Sequence, residues 1–312
     1  MSRKIVVTGA SGFVGRALAK RLQCEGEEVL GICRNDGDFG FPVVTIPSLE
    51  TPKSLVEPLN GADVVVHCAA RAHQMQDKAE DPLSAFQKIN RDMTLSVARQ
   101  SADRGVSRFV FLSTIKVNGE STSGRGPFTS DESPQPEDPY GLSKLEAEHG
   151  LIELAAETGM EVVIIRPPLV YGPGVKGNFA SMIRLVGKGL PLPLGAVHNK
   201  RSLVALGNLV DLIITCTHHP AAANQVFLAS DGNDLSTTEL LRAVAVAMGK
   251  PSRLLPVPSG LLTAGATILG KKAVARRLLD SLQVDISKTR DLLGWNPPLS
   301  VDDGLRRCFS DR

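Results

Sequence analysis

Thr8-Gly9-Ala10-Ser11-Gly12-Phe13-Val14-Gly15 is the stretch on which the fold turns. It follows Ile5-Val6-Val7, a β-branched run that reads as a buried strand. Beyond it, Val14, Leu18 and Leu22 recur on one helical face. Glycines between a strand and a helix let the backbone turn sharply and come close to a ligand. The helix N-terminus behind them offers free N–H groups and a partial positive charge, which suits a pyrophosphate. The spacing Gly-x-x-Gly-x-x-Gly is looser than the Gly-x-Gly-x-x-Gly fingerprint. A plain glycine-rich turn would have the same composition. Its place between the first strand and the first helix favours a dinucleotide site.

Working outward, short β-branched runs alternate with longer amphipathic stretches. Glu28-Val29-Leu30-Gly31-Ile32-Cys33 reads as a second strand, Val43-Val44-Thr45-Ile46 as a third and Asp63-Val64-Val65-Val66 as a fourth. A helix is predicted from Asp81 to Arg104, then strands at Arg108-Phe109-Val110-Phe111-Leu112 and Glu161-Val162-Val163-Ile164-Ile165. This alternation predicts an α/β chain with a Rossmann-type, doubly wound parallel sheet and right-handed crossovers. The rhythm breaks at Arg166-Pro167-Pro168. Residues 1–168 are therefore expected to form a dinucleotide-binding domain, with segments around 200–230 returning to its sheet. Residues 169–199 and 231–312 are expected to form a smaller α/β substrate-binding lobe.

The 312 residues, 42% hydrophobic and 22% charged, suit a globular enzyme. A net charge of +2 gives no basic face for nucleic acid. The five cysteines, Cys24, Cys33, Cys68, Cys216 and Cys308, are odd in number and lack metal-knuckle spacing. They suit a reducing cytoplasm, and no metal is expected. The N-terminus, Met1-Ser2-Arg3-Lys4, lacks the apolar stretch of a signal peptide. No run is long enough to span a membrane, so no stable insertion is expected. The nearest candidate is Leu261 to Gly270, followed by Lys271, Lys272, Arg276 and Arg277. It reads as a helix of the substrate lobe, with contact at a membrane surface as the alternative.

Three further positions carry chemistry. The second strand ends Cys33-Arg34, with Asp36 just beyond. An arginine there accommodates the extra phosphate of NADP, whereas an acidic residue favours NAD. Arg34 tips the expectation to NADP, with NAD the alternative and a surface arginine the plain reading. Tyr140 and Lys144 lie four apart in Tyr140-Gly141-Leu142-Ser143-Lys144 and so share a helix face. A phenol with a pKa near ~10 needs help to act as an acid or base at neutral pH, and a nearby ammonium favours its ionised form. The chain has only two tyrosines, the other being Tyr171. A hydroxyl from Ser113-Thr114, at the end of the fifth strand, can hydrogen-bond the reacting oxygen. Thr114 is favoured and Ser113 is the alternative.

Together, Thr8-Gly9-x-x-Gly12-x-x-Gly15, His67-Cys68-Ala69-Ala70, Ser113-Thr114 and Tyr140-x-x-x-Lys144 resemble the extended short-chain dehydrogenase/reductases. Arg166, Val170-Tyr171-Gly172-Pro173, Arg201 and Leu293-Gly294-Trp295-Asn296-Pro297 extend the resemblance to nearly the whole chain. It implies that Gly9, Gly12, Phe13, Val14, Arg34, Ala69, Ala70, Tyr140, Lys144 and Pro167 line the cofactor. It implies Thr114, Tyr140 and Lys144 as catalytic residues, and Ser113, Thr114, Asn178 and Arg201 as contacts to a UDP-sugar. Ser113-Thr114-Ile115-Lys116-Val117-Asn118-Gly119-Glu120 resembles bacterial 4-reductases of UDP-4-keto-6-deoxy-N-acetylhexosamines, which serve surface polysaccharide synthesis. The first expectation is therefore a 4-keto reductase. The alternatives are a UDP-sugar 4-epimerase with bound NAD and a non-catalytic sensor of NAD(P). The resemblance also implies a homodimer through the helix of the Tyr-Lys pair and the long helix before it. Leu169 stands where many relatives have Asn, and Asn118 where many have Tyr. Ile46-Pro47-Ser48-Leu49 lacks the acidic residue often found after the third strand.

Overall fold

The computed structural model describes residues 2–47, 55–71 and 81–309. Seven strands make one parallel sheet: β1 (Lys4–Thr8), β2 (Glu28–Cys33), β3 (Val43–Thr45), β4 (Val64–His67), β5 (Arg108–Leu112), β6 (Glu161–Arg166) and β9 (Val226–Leu228). Their spatial order is β3-β2-β1-β4-β5-β6-β9. Between β6 and β9, β7 (Leu169–Tyr171) and β8 (Leu203–Ala205) pair with each other as a separate sheet. The stretch after Arg201, expected to return to the main sheet, therefore joins β7 instead. Of the returning segments only β9 extends the main sheet. A short strand needs an open edge to bind, and Leu169-Val170-Tyr171 offers one next to Leu203-Val204-Ala205.

The central strands are covered on both faces. Ile5 and Val7 enter one core layer while Val6 enters the other; Val64 and Val66 oppose Val65 in the same way. This is the two-residue alternation of a sheet with helices on both sides. One face carries α1 (Phe13–Cys24), whose Leu18 and Leu22 are buried beside Leu209, Leu212 and Ile213 of α6 (Leu206–His218). The other carries α2 (Pro82–Gln87), α3 (Met93–Asp103) and α4 (Pro139–Thr158). Here Val97, Ala98, Leu151 and Leu154 pack on the sheet. A third core unites α5 (Gly177–Gly187), α7 (Thr237–Ala247) and α11 (Val301–Arg307) around Tyr171 and Phe179. The phenol of Tyr171 donates to Asp231 Oδ2 at 2.8 Å, so the second tyrosine belongs to this core. The remaining helices are α8 (Ser259–Ile268), α9 (Lys272–Leu279) and α10 (Ser287–Leu293).

Two buried polar links fasten the sheet. His67, at the end of β4, is fully buried and lies against Phe109 and Phe111. Its Nδ1 is 2.9 Å from Thr8 Oγ1 and its Nε2 is 3.1 Å from Thr94 Oγ1, which ties β1, β4 and α3 together. Burial, reinforced by the charge of Lys144, pushes the imidazole down to about 3. Between that value and ~6.5 the unfolded chain takes up a proton that the folded chain refuses. The stability held by neutral His67 is therefore complete above pH ~6.5 and is lost progressively as pH falls toward 3. Moving from pH 7 to pH 4.5 should cost about 2–3 kcal/mol through this residue alone. Urea unfolding at both pH values, compared with His67→Gln, checks this; an equal acid loss in the variant would refute it.

The second link is at a π-helical turn, Lys88–Asp92, between α2 and α3. Buried Asn90 accepts from the Arg71 amide at 2.9 Å and donates to Arg71 O at 3.2 Å and Ser143 Oγ at 3.1 Å. Ser143 Oγ in turn donates to Tyr140 O at 2.8 Å. The widened turn lets one side chain join the segment after β4 to the start of α4.

Candidate active site

In an open parallel sheet the crevice lies at the C-terminal ends of the strands where their order reverses. Here that point falls between β1 and β4. It brings together Gly9, which follows β1, and Cys68-Ala69-Ala70, which follow β4. Gly9 has φ +67°, and a Cβ there would lie 2.7 Å from the Ala69 amide. A Cβ on Gly15 would lie 2.4 Å from Gly9 O, against the turn itself. Both glycines are thus needed for the close packing of the loop. No side chain caps α1 and its first turn holds no acidic residue. The amides of Phe13 and Val14 therefore stand at an uncapped helix end, where an anion is favoured. This arrangement fits a dinucleotide pyrophosphate.

Arg34 is exposed just past β2. Asp36, two residues on, accepts a hydrogen bond from Thr45 on β3. Ser48 and Leu49, where an acidic residue was sought, lie outside the described residues. Pro167 is buried after β6, and its carbonyl accepts from the Ile115 amide at 2.9 Å.

On the far side of the crevice α4 begins at Asp138, which accepts from the Gly141 amide at 2.7 Å. Pro139 at the first turn has no amide to satisfy. These caps fix the first turn, where Tyr140 sits with its ring edge-on to Phe86 at 5.8 Å. Tyr140 is hydrogen-bonded to Thr114. Burial pushes its phenol up to about 12, Asp138 adds to the rise, and Thr114 acts against it. One turn later Lys144 is buried. Its ammonium donates to Leu112 O at 2.9 Å and lies 4.3 Å from the Phe111 ring centre. Burial holds it down to about 8, against the pull of Glu148. The ammonium is thus engaged by β5.

The geometry separates the two adjacent hydroxyls. Thr114 faces Tyr140, whereas Ser113 Oγ donates to Glu148. Glu148 forms a buried pair with Arg166, whose Nη2 is 2.5 Å from Oε2 and whose Nε reaches both carboxylate oxygens. Arg166 Nη1 also donates to Asn118 Oδ1 at 3.1 Å, and Asn118 Nδ2 donates to Thr129 O at 2.8 Å. Asn118 therefore anchors the arginine. Glu148, Asn90 and Asp138 were not singled out from the sequence. Two left a trace there: Asp138, an Asp-Pro helix start, and Glu148, four residues after Lys144 on the same helix face.

Arg201 and Asn178 lie in the lobe. Arg201 is half-buried, donates from Nη1 to Asp280 O at 3.0 Å, and its charge is opposed by desolvation. Asn178 is exposed at the start of α5, and Leu169 is 39% exposed on β7. A cavity of about 630 Å³ lies at the opposite, N-terminal ends of the central strands, lined by Arg3, Val64, Arg108 and Glu161. The crevice is at the other ends of these strands, and the arginines of this cavity are engaged, Arg3 by Thr217 O and Arg108 by Glu161. Among the described residues no cluster of His, Cys, Asp and Glu could hold a metal.

Residues 5–229 match the model of the NAD dependent epimerase/dehydratase family. The chain belongs to that family. It is 47% identical to a UDP-glucose 4-epimerase of Vibrio cholerae, covering 98% of this chain and 94% of the relative. It is 28% identical to the N-acetyl-alpha-D-glucosaminyl-diphospho-ditrans,octacis-undecaprenol 4-epimerase of Escherichia coli O157:H7, covering 99% and 95%. The crystal structure of a UDP-N-acetylglucosamine 4-epimerase from Bacillus cereus superposes with a TM-score of 0.81 over 98% of both chains, at 23% identity. This member of the family thus shares its fold with epimerases along its whole length.

Proposed function

We propose that this protein is a UDP-sugar 4-epimerase that retains NAD. The observation that carries this reading is the 47% identity to the Vibrio cholerae UDP-glucose 4-epimerase across almost the full chain. It is supported by the contact of Thr114 with Tyr140 beside a glycine loop that fits a pyrophosphate. The epimerase reading thereby displaces the 4-keto reductase as first choice.

Phe13, Val14 and the loop glycines would hold the pyrophosphate through backbone amides, with Ala69, Ala70 and Pro167 lining the crevice. NAD, when bound, would supply reversible two-electron hydride chemistry at the sugar C4. In its ionised form Tyr140 accepts the proton of the C4 hydroxyl at its phenolate oxygen, becoming the neutral phenol, and later gives that proton back. Thr114 hydrogen-bonds the same oxygen and fixes its position. Lys144 brings positive charge to a buried phenol that resists ionisation. Inversion requires the sugar ring to present both faces while the nucleotide stays in place. Arg201 and Asn178 hold the diphosphate and uridine for that purpose, Arg201 through its forked donor set.

Purified protein should interconvert UDP-glucose and UDP-galactose, or the N-acetylated pair, without added cofactor, and release stoichiometric NAD on denaturation. Absence of both interconversions, with NADPH consumed on a UDP-4-keto-6-deoxy-N-acetylhexosamine, would return the reading to the reductase. Arg34 is the residue that favours that second reading, because its guanidinium is open at the end of β2. Arg34→Ala should leave retained NAD unchanged. A wild-type preference for NADP that this variant loses would count against an NAD epimerase.

A further inference from the structure

Ser259–Ile268 forms α8, a helix with no charged residue and no buried one. Leu261 and Ile268 on its outer face are 66% and 85% exposed, and Leu269 just beyond it is 71% exposed. At 100° per residue Leu261, Ala264 and Ile268 form one apolar stripe. A soluble helix normally turns such a stripe inward. The segment leading in, residues 253–258, also leaves Leu255 half-exposed. Immediately after the stripe come Lys271 and Lys272, both exposed, then Arg276 and Arg277 of α9. Residues 240–279 hold seven basic side chains and no acidic one, although the whole chain is only +2.

We propose that α8 and the start of α9 dock the protein on an anionic bilayer surface. The apolar stripe enters the headgroup region, and Lys271 and Lys272 meet lipid phosphates. Interfacial binding scales with the apolar area buried plus the attraction to anionic lipids, and here an exposed apolar face and exposed lysines adjoin. Ten residues rise only ~15 Å, about half the hydrocarbon thickness, so the helix lies on the surface and does not cross it. Among the described residues no helix is long and apolar enough to cross a membrane. Charge also selects the occupant. A symmetric contact with a second copy would set this acid-free basic segment against itself, whereas an anionic surface complements it.

The element is also joined to the candidate site. Arg276 Nη2 is 3.2 Å from Glu137, next to the residue that caps α4. Asp280, which closes α9, accepts from Arg201. Docking through α8 would therefore hold the substrate lobe at a fixed height above the bilayer.

The test is flotation of the full chain with vesicles of phosphatidylcholine alone or with about one-third phosphatidylglycerol. Wild type should float with the anionic vesicles only, and lose binding as salt approaches ~0.5 M. Lys271→Glu with Lys272→Glu should lower the partition coefficient at least ~30-fold. Leu261→Glu with Ile268→Glu should abolish binding, and both variants should keep the wild-type melting temperature and turnover of UDP-glucose. Failure of wild type to float, or equal binding by the variants, overturns the proposal. So does a wild-type dimer, seen by sedimentation velocity without lipid, that Leu261→Glu with Ile268→Glu dissociates. The proposal does not depend on the epimerase reading, since flotation and turnover are measured separately.

Discussion

Tyr140→Phe is expected to lower turnover ~10²–10⁴-fold, the range for loss of a positioned acid–base group. The substitution removes one oxygen and keeps the ring that meets Phe86 edge-on. The caps of α4, Asp138 to the Gly141 amide and Pro139 at the first turn, are untouched. NAD retention and the melting temperature should therefore hold. Turnover with UDP-glucose, measured beside the NAD content of the same sample, separates chemistry from folding. Unchanged turnover would remove Tyr140 from the mechanism. A loss of NAD as large as the loss of turnover would make it a binding residue. In wild type the phenol, pushed up to about 12 by burial, is neutral at physiological pH. Activity should therefore climb with pH as a growing fraction ionises.

Arg166→Met is expected to destabilise the fold by about 3–5 kcal/mol, because it strands a carboxylate in the interior. Glu148 is 1% exposed and Arg166 5%, so neither charge can recover its hydration by local movement. The loss reaches Ser113 and Asn118, which share the same network. Adding Glu148→Met removes the stranded charge, and the double variant should recover most of the stability. Urea denaturation of the four proteins measures the coupling directly. If the double variant is no more stable than Arg166→Met, the pair is not what holds this region. Ser113 adjoins Thr114 and Glu148 lies one turn beyond Lys144, so Arg166→Met should also reduce turnover in the fraction that stays folded.

Much of this was legible in the sequence because it depends on neighbours along the chain. Strand identity follows from runs such as Val64-Val65-Val66, whose side chains go to opposite faces whatever the partner strand. The glycine loop is readable because a strand, a turn and a helix are consecutive there. Tyr140 and Lys144 share a face because a helix repeats every 3.6 residues. The same logic misled at Leu203-Val204-Ala205, whose composition suits either sheet. Propensity does not say which edge is free, and the open edge was that of β7.

The sequence by itself determined the parallel α/β architecture, the position of the phosphate-binding turn and the pairing of Tyr140 with Lys144 on one helix. Only the tertiary structure decided which hydroxyl meets Tyr140, that Lys144 is drawn to Leu112 and Phe111, and that Glu148, Arg166 and Asn118 form one buried network. It alone showed that the apolar helix after Pro258 faces outward. The reason is physical. Local pattern sets how a segment folds. Contacts between residues far apart in the chain set the desolvation and neighbouring charges that a side chain experiences, and those set its chemistry.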